Sequence, residues 1–303
     1  MKLKRSPLFY VGDKYKLMEQ LIQLFPKDIN SFVEPFVGGG TVFLNVKAKR
    51  YLLNDIDKNI VAIHKYLVKE SKKANDLFNE IERITNLYNL SRLYKEDIVP
   101  DELKRQWKKT YFARFNKVGY NRMRDDFNKA TKKDPLMLYT LLIYGFNRML
   151  RFNRNGYFNL PVGNVDFNSN VVSALNEYFE VVKQKEISFQ NTDFRDFLRS
   201  RKYSKNDFIY IDPPYLITFS EYNKFWDKES EAELLDLIGE LNKKGVKFAL
   251  SNVIHYNGSK NNLLIKWMKK YNVHKIESNY ISYHNNTKKN IKEVLVTNYE
   301  YKR

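Results

Sequence analysis

Short apolar runs alternate along the chain with longer stretches in which apolar residues recur at helical spacing. The runs predict buried strands, and the spaced stretches predict helices that cover them. Strands are predicted at 31–36, 51–55, 186–190, 208–212, 246–252 and 293–299. Helices are predicted at 18–25, 42–46, 229–241 and 261–271. Strands that alternate with helices indicate an α/β fold with a parallel, doubly wound sheet.

The alternation is interrupted between about residues 57 and 178. Helical patterns at 60–70, 74–88, 101–115 and 136–144 carry many Lys, Arg and Asn residues, which predicts an inserted, mostly helical lobe. Its tail, 145–163, mixes Arg, Asn, aromatic residues and Gly without a burial period. Asn155-Gly156 predicts a hairpin turn there. Such a ribbon suits a DNA groove, because Arg and Asn match guanine and adenine edges.

The stretch Asp212-Pro213-Pro214-Tyr215 follows the apolar run 208–211 and places an acid at the end of a strand. In open α/β sheets this edge holds ligands. A carboxylate and a rigid carbonyl can accept the hydrogens of an exocyclic NH2 group while an aromatic ring stacks on the same base. A Pro-Pro turn that caps the strand, with Tyr215 in the core, explains these four residues equally well.

A glycine turn, 37–41, joins the first strand to a helix. Glycines let the backbone approach a ligand and leave N–H groups free at the helix start. The spacing matches neither a dinucleotide fingerprint nor a phosphate loop. Asp55 ends the next strand, about 15 residues further on, where a carboxylate can accept both hydroxyls of a ribose.

The chain has 303 residues, no cysteine and a formal net charge of +18. This charge favours polyanionic partners, although a general compositional bias would also produce it. The lack of cysteine excludes C5 methylation of cytosine by a thiolate. The four histidines show no metal-ligand spacing, so we expect no metal. No apolar stretch reaches the roughly 18 residues of a membrane span, and the start resembles no signal peptide. We therefore expect a soluble, cytoplasmic protein.

With these motifs in this order, the chain resembles the DNA adenine N6-methyltransferases of the Dam type. The stretches 34–40, 151–163 and 292–299 are also similar to that family. The resemblance implies a Rossmann-like, S-adenosylmethionine-dependent methyltransferase sheet formed by residues 1–58 and 170–303. It implies an inserted target-recognition domain at 59–169, which binds double-stranded DNA.

The family's functional residues are carried over by matching motifs. The residues implied to bind S-adenosylmethionine are Tyr10, Lys14, Phe36, Gly38, Asp55 and Asp193. The implied catalytic residues are Asp212, Pro213 and Tyr215, which hold a flipped adenine. The implied DNA-binding residues are Asn147, Met149, Arg151 and Pro161, with Arg151 as the guanine reader.

The resemblance favours GATC as the target. Some relatives, however, carry a base-contacting lysine just before the N-terminal aromatic, where this chain has Phe9, so the outer base pair stays open. A cognate restriction endonuclease is a candidate partner. The alternatives are methylation of RNA or another amino group, and an inactive DNA-binding subunit of the same fold.

Overall fold

The computed structural model describes residues 2–218, 226–277 and 291–300. Within these ranges, eight strands form a single sheet. The strands are β1 (Ser31–Glu34), β2 (Arg50–Asn54), β3 (Glu186–Gln190), β4 (Phe208–Ile211), β5 (Lys247–Tyr256), β6 (Ser259–Lys260), β7 (Asn272–Ile276) and β8 (Ile291–Thr297). Their order across the sheet is β3-β2-β1-β4-β5-β8-β7, with β6 paired to β5. The predicted α/β class is confirmed.

The first five strands pair parallel to one another, as predicted. The prediction of an entirely parallel sheet is wrong at one edge, because β8 pairs antiparallel to both β5 and β7. A parallel pair needs a crossover, usually a helix, and the sequence between Ile276 and Ile291 shows no helical apolar pattern. The polar and basic composition of 280–289 predicts a loop, and this stretch lies outside the described residues.

The helices largely follow the predicted periodicity. They are α1 (Met18–Gln23), α2 (Thr41–Asn45), α3 (Lys58–Glu70), α4 (Ala74–Leu87), α5 (Asp101–Gln106), α6 (Tyr111–Lys129), α7 (Pro135–Tyr144), α8 (Ser169–Val182), α9 (Phe194–Arg199), α10 (Lys228–Lys243) and α11 (Asn262–Trp267). Short 3-10 turns lie at Lys14–Leu17, Ser71–Lys73, Phe146–Arg148 and Met268–Lys270. None of the helices in the described ranges is long and apolar enough to cross a membrane.

Two of the predicted helices differ from the structure by more than two residues at an end. The predicted helix at 101–115 is interrupted, because Trp107 and Thr110 leave helical geometry and the Thr110 N–H donates to the Trp107 carbonyl, 2.8 Å away. The helix that resumes as α6 buries Tyr120, Met123 and Phe127. The predicted helix at 261–271 ends at Trp267 and continues as one 3-10 turn.

The sheet separates two apolar clusters. On one face, α9, α10 and α11 pack against β4 and β5, with Ile209, Ile211 and Phe248 at the centre. On the other face, α3 and α8 cover the sheet, and the same cluster continues through α4, α6 and α7. The helical segment therefore shares a core with the sheet, and its position relative to the carboxyl edge is set by packing.

An antiparallel ribbon, defined as residues 144–163, follows α7. Bridges join Gly145 to Val162 and Phe152 to Phe158. The Gly156 N–H donates to the Asn153 carbonyl and Gly156 has a φ of 77°, so the predicted hairpin turn is confirmed. Asn128 of α6 anchors the ribbon, because its side chain bonds both the N–H and the carbonyl of Phe158.

Gly119 lies inside α6, where a Cβ atom would lie 1.8 Å from the Tyr88 carbonyl oxygen. The obstacle is backbone, so Gly119→Ala forces α6 away from the turn after α4. We predict a loss of about 1 to 3 kcal/mol in the free energy of unfolding, measured by urea denaturation.

The matched control is Gly239→Ala in α10, where no heavy atom lies within 4 Å of the added Cβ. The free energy of unfolding of this variant should rise by roughly 0.5 to 1 kcal/mol, because alanine has the higher helix propensity. Equal effects of the two substitutions would contradict the packing of α6 against Tyr88.

Candidate active site

A cavity of about 680 Å³ lies at the carboxyl ends of β1, β2 and β4. Nine of the thirteen predicted site residues line it: Tyr10, Lys14, Phe36, Gly38, Asp55, Asp193, Asp212, Pro213 and Tyr215. The four predicted DNA-binding residues are not among its lining residues. Across the described ranges, no cluster of three or more His, Asp or Glu side chains is arranged as a metal site. The cavity thus brings the predicted cofactor residues and the predicted catalytic residues into one space.

The glycine turn after β1 is held by Asp55, which ends β2. The Asp55 carboxylate accepts hydrogen bonds from the N–H groups of Gly38 and Asp57, both at 2.9 Å. Gly38 and Gly40 have φ values of 46° and 81°, which disfavour any residue with a side chain. Burial raises the pKa of Asp55 to about 6, against the effect of these hydrogen bonds. The acid and the turn therefore form one unit.

His64 of α3 holds the same turn in place through a hydrogen bond to its backbone. Its Nε2 lies 2.9 Å from the Gly38 carbonyl oxygen, and its Nδ1 lies 3.2 Å from the Tyr178 hydroxyl. Burial lowers the pKa of His64 to about 4, so the ring is neutral near pH 7. Because a carbonyl can only accept, Nε2 carries the hydrogen and Nδ1 accepts from the tyrosine. Sequence reasoning did not assign this supporting role.

Asp212 follows β4 and is paired with a buried lysine. The Lys14 ammonium lies 2.8 Å from Asp212 Oδ2, and the Lys14 side chain is only 5% exposed. The Tyr215 hydroxyl donates to Asp212 Oδ1 at 2.9 Å, and Glu293 of β8 lies 3.2 Å from the same hydroxyl oxygen and shares its one hydrogen. Each carboxylate oxygen of Asp212 thus already accepts one donor. A carboxylate has about four lone-pair sites, so capacity for further donors remains.

Two acids in this region were missing from the predicted site residues. Glu34 ends β1 and is buried, and its Oε2 atom accepts no hydrogen bond from any described residue. Burial, together with the nearby charges of Asp212 and Asp55, raises the pKa of Glu34 well above its usual value. Glu293 lies 4.0 Å from the Lys14 ammonium. Both acids fall inside stretches with family resemblance, which was the available signal.

An aromatic wall forms another side of the cavity. The rings of Phe36, Phe194 and Trp226 lie with centroids 5.4 to 5.7 Å apart. The Trp226 indole donates to Glu231 at 2.8 Å, and this buried carboxylate also accepts from Asn252 and Asn261. The wall can take a planar ring. Sequence reasoning missed Phe194 and Trp226, although Phe194 directly follows a predicted site residue.

Asp193 follows β3 and begins α9. Its carboxylate accepts from the Arg195 N–H at 2.8 Å and pairs with the Arg195 guanidinium at 3.0 Å. Arg195 also contacts Glu233 and Ser230 of α10. The Asp193 side chain is 38% exposed, so it can still accept a donor from the cavity.

The predicted DNA-binding residues all lie on the ribbon. Asn147 and Pro161 are exposed, whereas Met149 and Arg151 are half-buried. The Arg151 guanidinium donates to the side chain of Asn159 at 3.0 Å and to its carbonyl at 2.7 Å. A purely structural arginine would pair with an acid such as Asp166, but no ion pair joins Arg151 to Asp166 in the described ranges. Asp166 instead accepts a hydrogen bond from the Leu93 N–H.

The known proteins to which this chain is similar point to one family. Residues 10–281 match the model of the D12 class N6 adenine-specific DNA methyltransferases. The chain is 38% identical over 304 residues to type II methyltransferase M.FokI of Planomicrobium okeanokoites, covering 97% of this chain and 43% of that protein. It is 36% identical to modification methylase StsI of Streptococcus sanguinis, covering 99% and 44%.

A more distant relative is a DNA adenine methylase of Salmonella typhi, which is 27% identical over 220 residues. That match covers 71% of this chain and 66% of the relative. The chain therefore spans less than half the length of the first two relatives and about two thirds of the third.

Glu231 secures the aromatic wall, so removing its carboxylate should destabilise the protein. We predict that Glu231→Ala lowers the free energy of unfolding by about 3 kcal/mol. The substitution leaves the donors of Trp226, Asn252 and Asn261 without their acceptor, and each unsatisfied buried donor costs about 1 to 3 kcal/mol. Tryptophan fluorescence should change as well, since Trp226 loses its partner. The control is Glu233→Ala on the same helix, which breaks a solvent-facing ion pair and should cost less than about 1 kcal/mol.

Proposed function

Because the chain belongs to the D12 class N6 adenine-specific DNA methyltransferases, we propose that it transfers a methyl group from S-adenosylmethionine to N6 of adenine in duplex DNA. The observation that carries this proposal is one cavity lined by Asp55 and Gly38 on one side and by Asp212, Pro213 and Tyr215 on the other. A methyl donor and a nucleobase can meet there.

The residues of the cavity fit S-adenosylmethionine. Asp55 can accept hydrogen bonds from the ribose hydroxyls. The rings of Phe36, Phe194 and Trp226 can pack against the adenine ring of the cofactor. Asp193 can accept a hydrogen bond from the amino group of that adenine. The buried Oε2 of Glu34, without a donor among the described residues, suits the cationic amino-acid end. Bound there, the cofactor supplies a methyl group that is already activated on a sulfonium.

Asp212 and Pro213 activate the amino group to be methylated. The N6 lone pair of adenine is delocalised into the ring, so N6 is a poor nucleophile. Hydrogen bonds from N6 to the Asp212 carboxylate and the Pro213 carbonyl localise this lone pair, and the carboxylate stabilises the positive charge that develops on N6. The surplus proton leaves N6 along the hydrogen bond to Asp212. In-line positioning supplies the rest, without a covalent intermediate.

Tyr215 holds the target base. Its hydroxyl is fixed by Asp212 and Glu293, so the orientation of its ring is set before a substrate arrives. Because N6 lies inside a base-paired duplex, adenine has to be flipped into the cavity, and stacking on Tyr215 offsets part of the unstacking cost.

The helical segment at 59–169 is the proposed target-recognition domain, and residues 1–58 with 170–303 the catalytic one. In this proposal the ribbon carries the DNA-contacting residues Asn147, Met149, Arg151 and Pro161. The net charge of +18 supports binding to a polyanion. GATC remains the target that we expect from the Dam-type resemblance.

The names of the relatives extend the proposal. Two of them are called type II methyltransferase and modification methylase, so we propose that this chain protects DNA against a cognate restriction endonuclease in the cytoplasm. Transfer of labelled methyl from S-adenosylmethionine to duplex DNA, compared with single-stranded RNA of the same sequence, tests the activity. Label in RNA alone, or in neither, contradicts it.

Asp212→Ala should abolish methyl transfer and leave cofactor binding and DNA binding largely intact. The carboxylate is needed mainly when charge develops on N6, so its loss affects the transition state more than the bound states. Single-turnover kinetics and equilibrium binding separate these effects. A parallel loss of binding and folding would show that Asp212 is mainly structural.

Cofactor affinity should fall as the pH drops through about 6, because Asp55 accepts the ribose hydroxyls as a carboxylate and its pKa is raised to about 6. Below that pH a proton competes with the ligand, which costs up to about tenfold per pH unit. Calorimetric titration between pH 5 and 8 measures the slope. Asp55→Asn should bind more weakly and without this dependence; a slope that persists in it points to another group.

Arg151 should read one guanine. Asn159 holds its guanidinium, and a bidentate contact to guanine O6 and N7 contributes about 1 to 3 kcal/mol of discrimination. Arg151→Ala should therefore relax the preference at one base pair in a library of single-base site variants. The control is Arg154→Ala at the tip of the turn. This substitution should lower the affinity for all DNA sequences equally, if it changes the affinity at all. An even loss with Arg151→Ala contradicts the assignment.

A further inference from the structure

The ribbon contains a bulge that includes Arg148, a residue to which the proposed function gives no role. Phe146 pairs with Pro161 and Arg151 pairs with Asn159, so the four residues 147–150 lie opposite the single residue Leu160. Bulges of this kind re-aim side chains and are frequent beside functional sites. Here the bulge redirects Arg148 away from the ribbon.

Arg148 lies on the ring of Phe9, which belongs to the N-terminal segment, residues 2–17. Its guanidinium carbon is 4.2 Å from the centroid of Phe9, and the guanidinium carbon of Arg5 is 4.6 Å from the same centroid. Phe9 directly precedes Tyr10, which lines the cavity. The stack of Arg148, Phe9 and Arg5 therefore joins the ribbon to the chain segment at the mouth of the cavity.

The backbone is strained on both sides of this contact. Asn147, Arg148 and Phe9 have φ values of 53°, 50° and 47°. Such values are uncommon for residues with a side chain and cost free energy unless the surroundings impose them. Three of the five such residues in the described ranges meet at this one stack. Strain of this kind concentrates at ligand clamps and active sites.

The Arg148 guanidinium is held in place but has no hydrogen-bond acceptor. Its Nε is buried and makes no hydrogen bond, whereas its terminal amino groups reach solvent. Among the described residues, no carboxylate lies within ion-pair distance of Arg148. Burial lowers the pKa of Arg148, and the nearby charge of Arg5 lowers it further. A partly exposed fork of donors thus lies on Phe9 beside the like charge of Arg5, and an incoming acceptor would relieve this arrangement.

We infer that Arg148, held on Phe9, is a specificity-determining residue that reads the O6 and N7 edge of a guanine at a base pair other than the one assigned to Arg151. The inference rests on the proposed function for the presence of duplex DNA at the cavity. A planar, pre-oriented fork matches the two acceptors of guanine. The same fork can bind two oxygens of a phosphate, but a phosphate contact carries no sequence information, so the sequence preference of the variants separates the two partners.

Binding selection tests the inference without requiring methyl transfer. Duplexes randomised at each position of the recognised site are selected by the 303-residue chain and sequenced. Arg148→Ala should lose about 5- to 150-fold of discrimination at one base pair and keep its preference at the others. Arg148→Lys keeps the charge, and so the salt dependence, but loses the fork and should relax the same pair.

Phe9→Leu should relax that same base pair, because the guanidinium loses the ring on which it lies. The matched control is Arg114→Ala, since exposed Arg114 also stacks on an aromatic ring, that of Trp107 at 3.9 Å, but has no DNA contact in the proposal. This variant should leave every preference unchanged. Thermal unfolding of each variant verifies that the fold is kept.

The failure of this inference can be told from failure of the proposed function. Selective binding that Arg148→Ala relaxes at one pair supports the inference even if no methyl is transferred. Uniform weakening by Arg148→Ala identifies a phosphate contact and overturns it. A chain that transfers methyl but whose preferences survive both Arg148 substitutions overturns it as well, and so does a wild-type chain that selects no sequence.

Discussion

The ion pair between Lys14 and Asp212 organises this protein. A buried ion pair is costly, because the desolvation of both charges offsets most of their attraction, so the pair is better explained by a functional role than by stability. It ties the N-terminal segment, with Tyr10, to the end of β4. Glu293 lies within 4.0 Å of the same ammonium, and it reaches this place only because β8 returns antiparallel along β5. The irregular edge of the sheet thus completes the site.

Charge is distributed in opposite ways on the surface and in the cavity. The chain as a whole has a net charge of +18, whereas the acids that line its cavity outnumber the cations. The lining acids are Asp13, Glu34, Asp55, Asp57, Asp193 and Asp212, and the lining cations among the described residues are Lys14 and Arg195. A basic exterior attracts a polyanion such as DNA. An acidic interior favours a cationic methyl donor and the positive charge that forms on an amino group during transfer. DNA binding therefore favours a positive electrostatic potential and methyl transfer a negative one, and the fold keeps the acidic groups of the cavity apart from the basic surface.

The sequence predicted what depends on local pattern. Strand-end acids such as Asp55 and Asp212 are visible because parallel strands place their carboxyl ends at one edge, and Asn155-Gly156 announces the ribbon turn. The partners that need tertiary structure were not predictable. Nothing local pairs Lys14 with Asp212, brings Trp226 to the cavity or stacks Arg148 on Phe9. The antiparallel edge was missed because an isolated apolar run does not reveal its direction.

The central claim is that Asp212 and Pro213 receive the exocyclic amino group of adenine. Identification of the methylated nucleoside tests it most directly: duplex DNA is treated with the chain and methyl-labelled S-adenosylmethionine and digested to nucleosides, and the nucleosides are resolved by liquid chromatography against authentic standards. If adenine is the base that is bound, label should appear only in N6-methyldeoxyadenosine. Label in N4-methyldeoxycytidine would show that the cavity selects the other amino-bearing base, and label in 5-methyldeoxycytidine would contradict the mechanism, because a chain without cysteine lacks the nucleophile for that reaction.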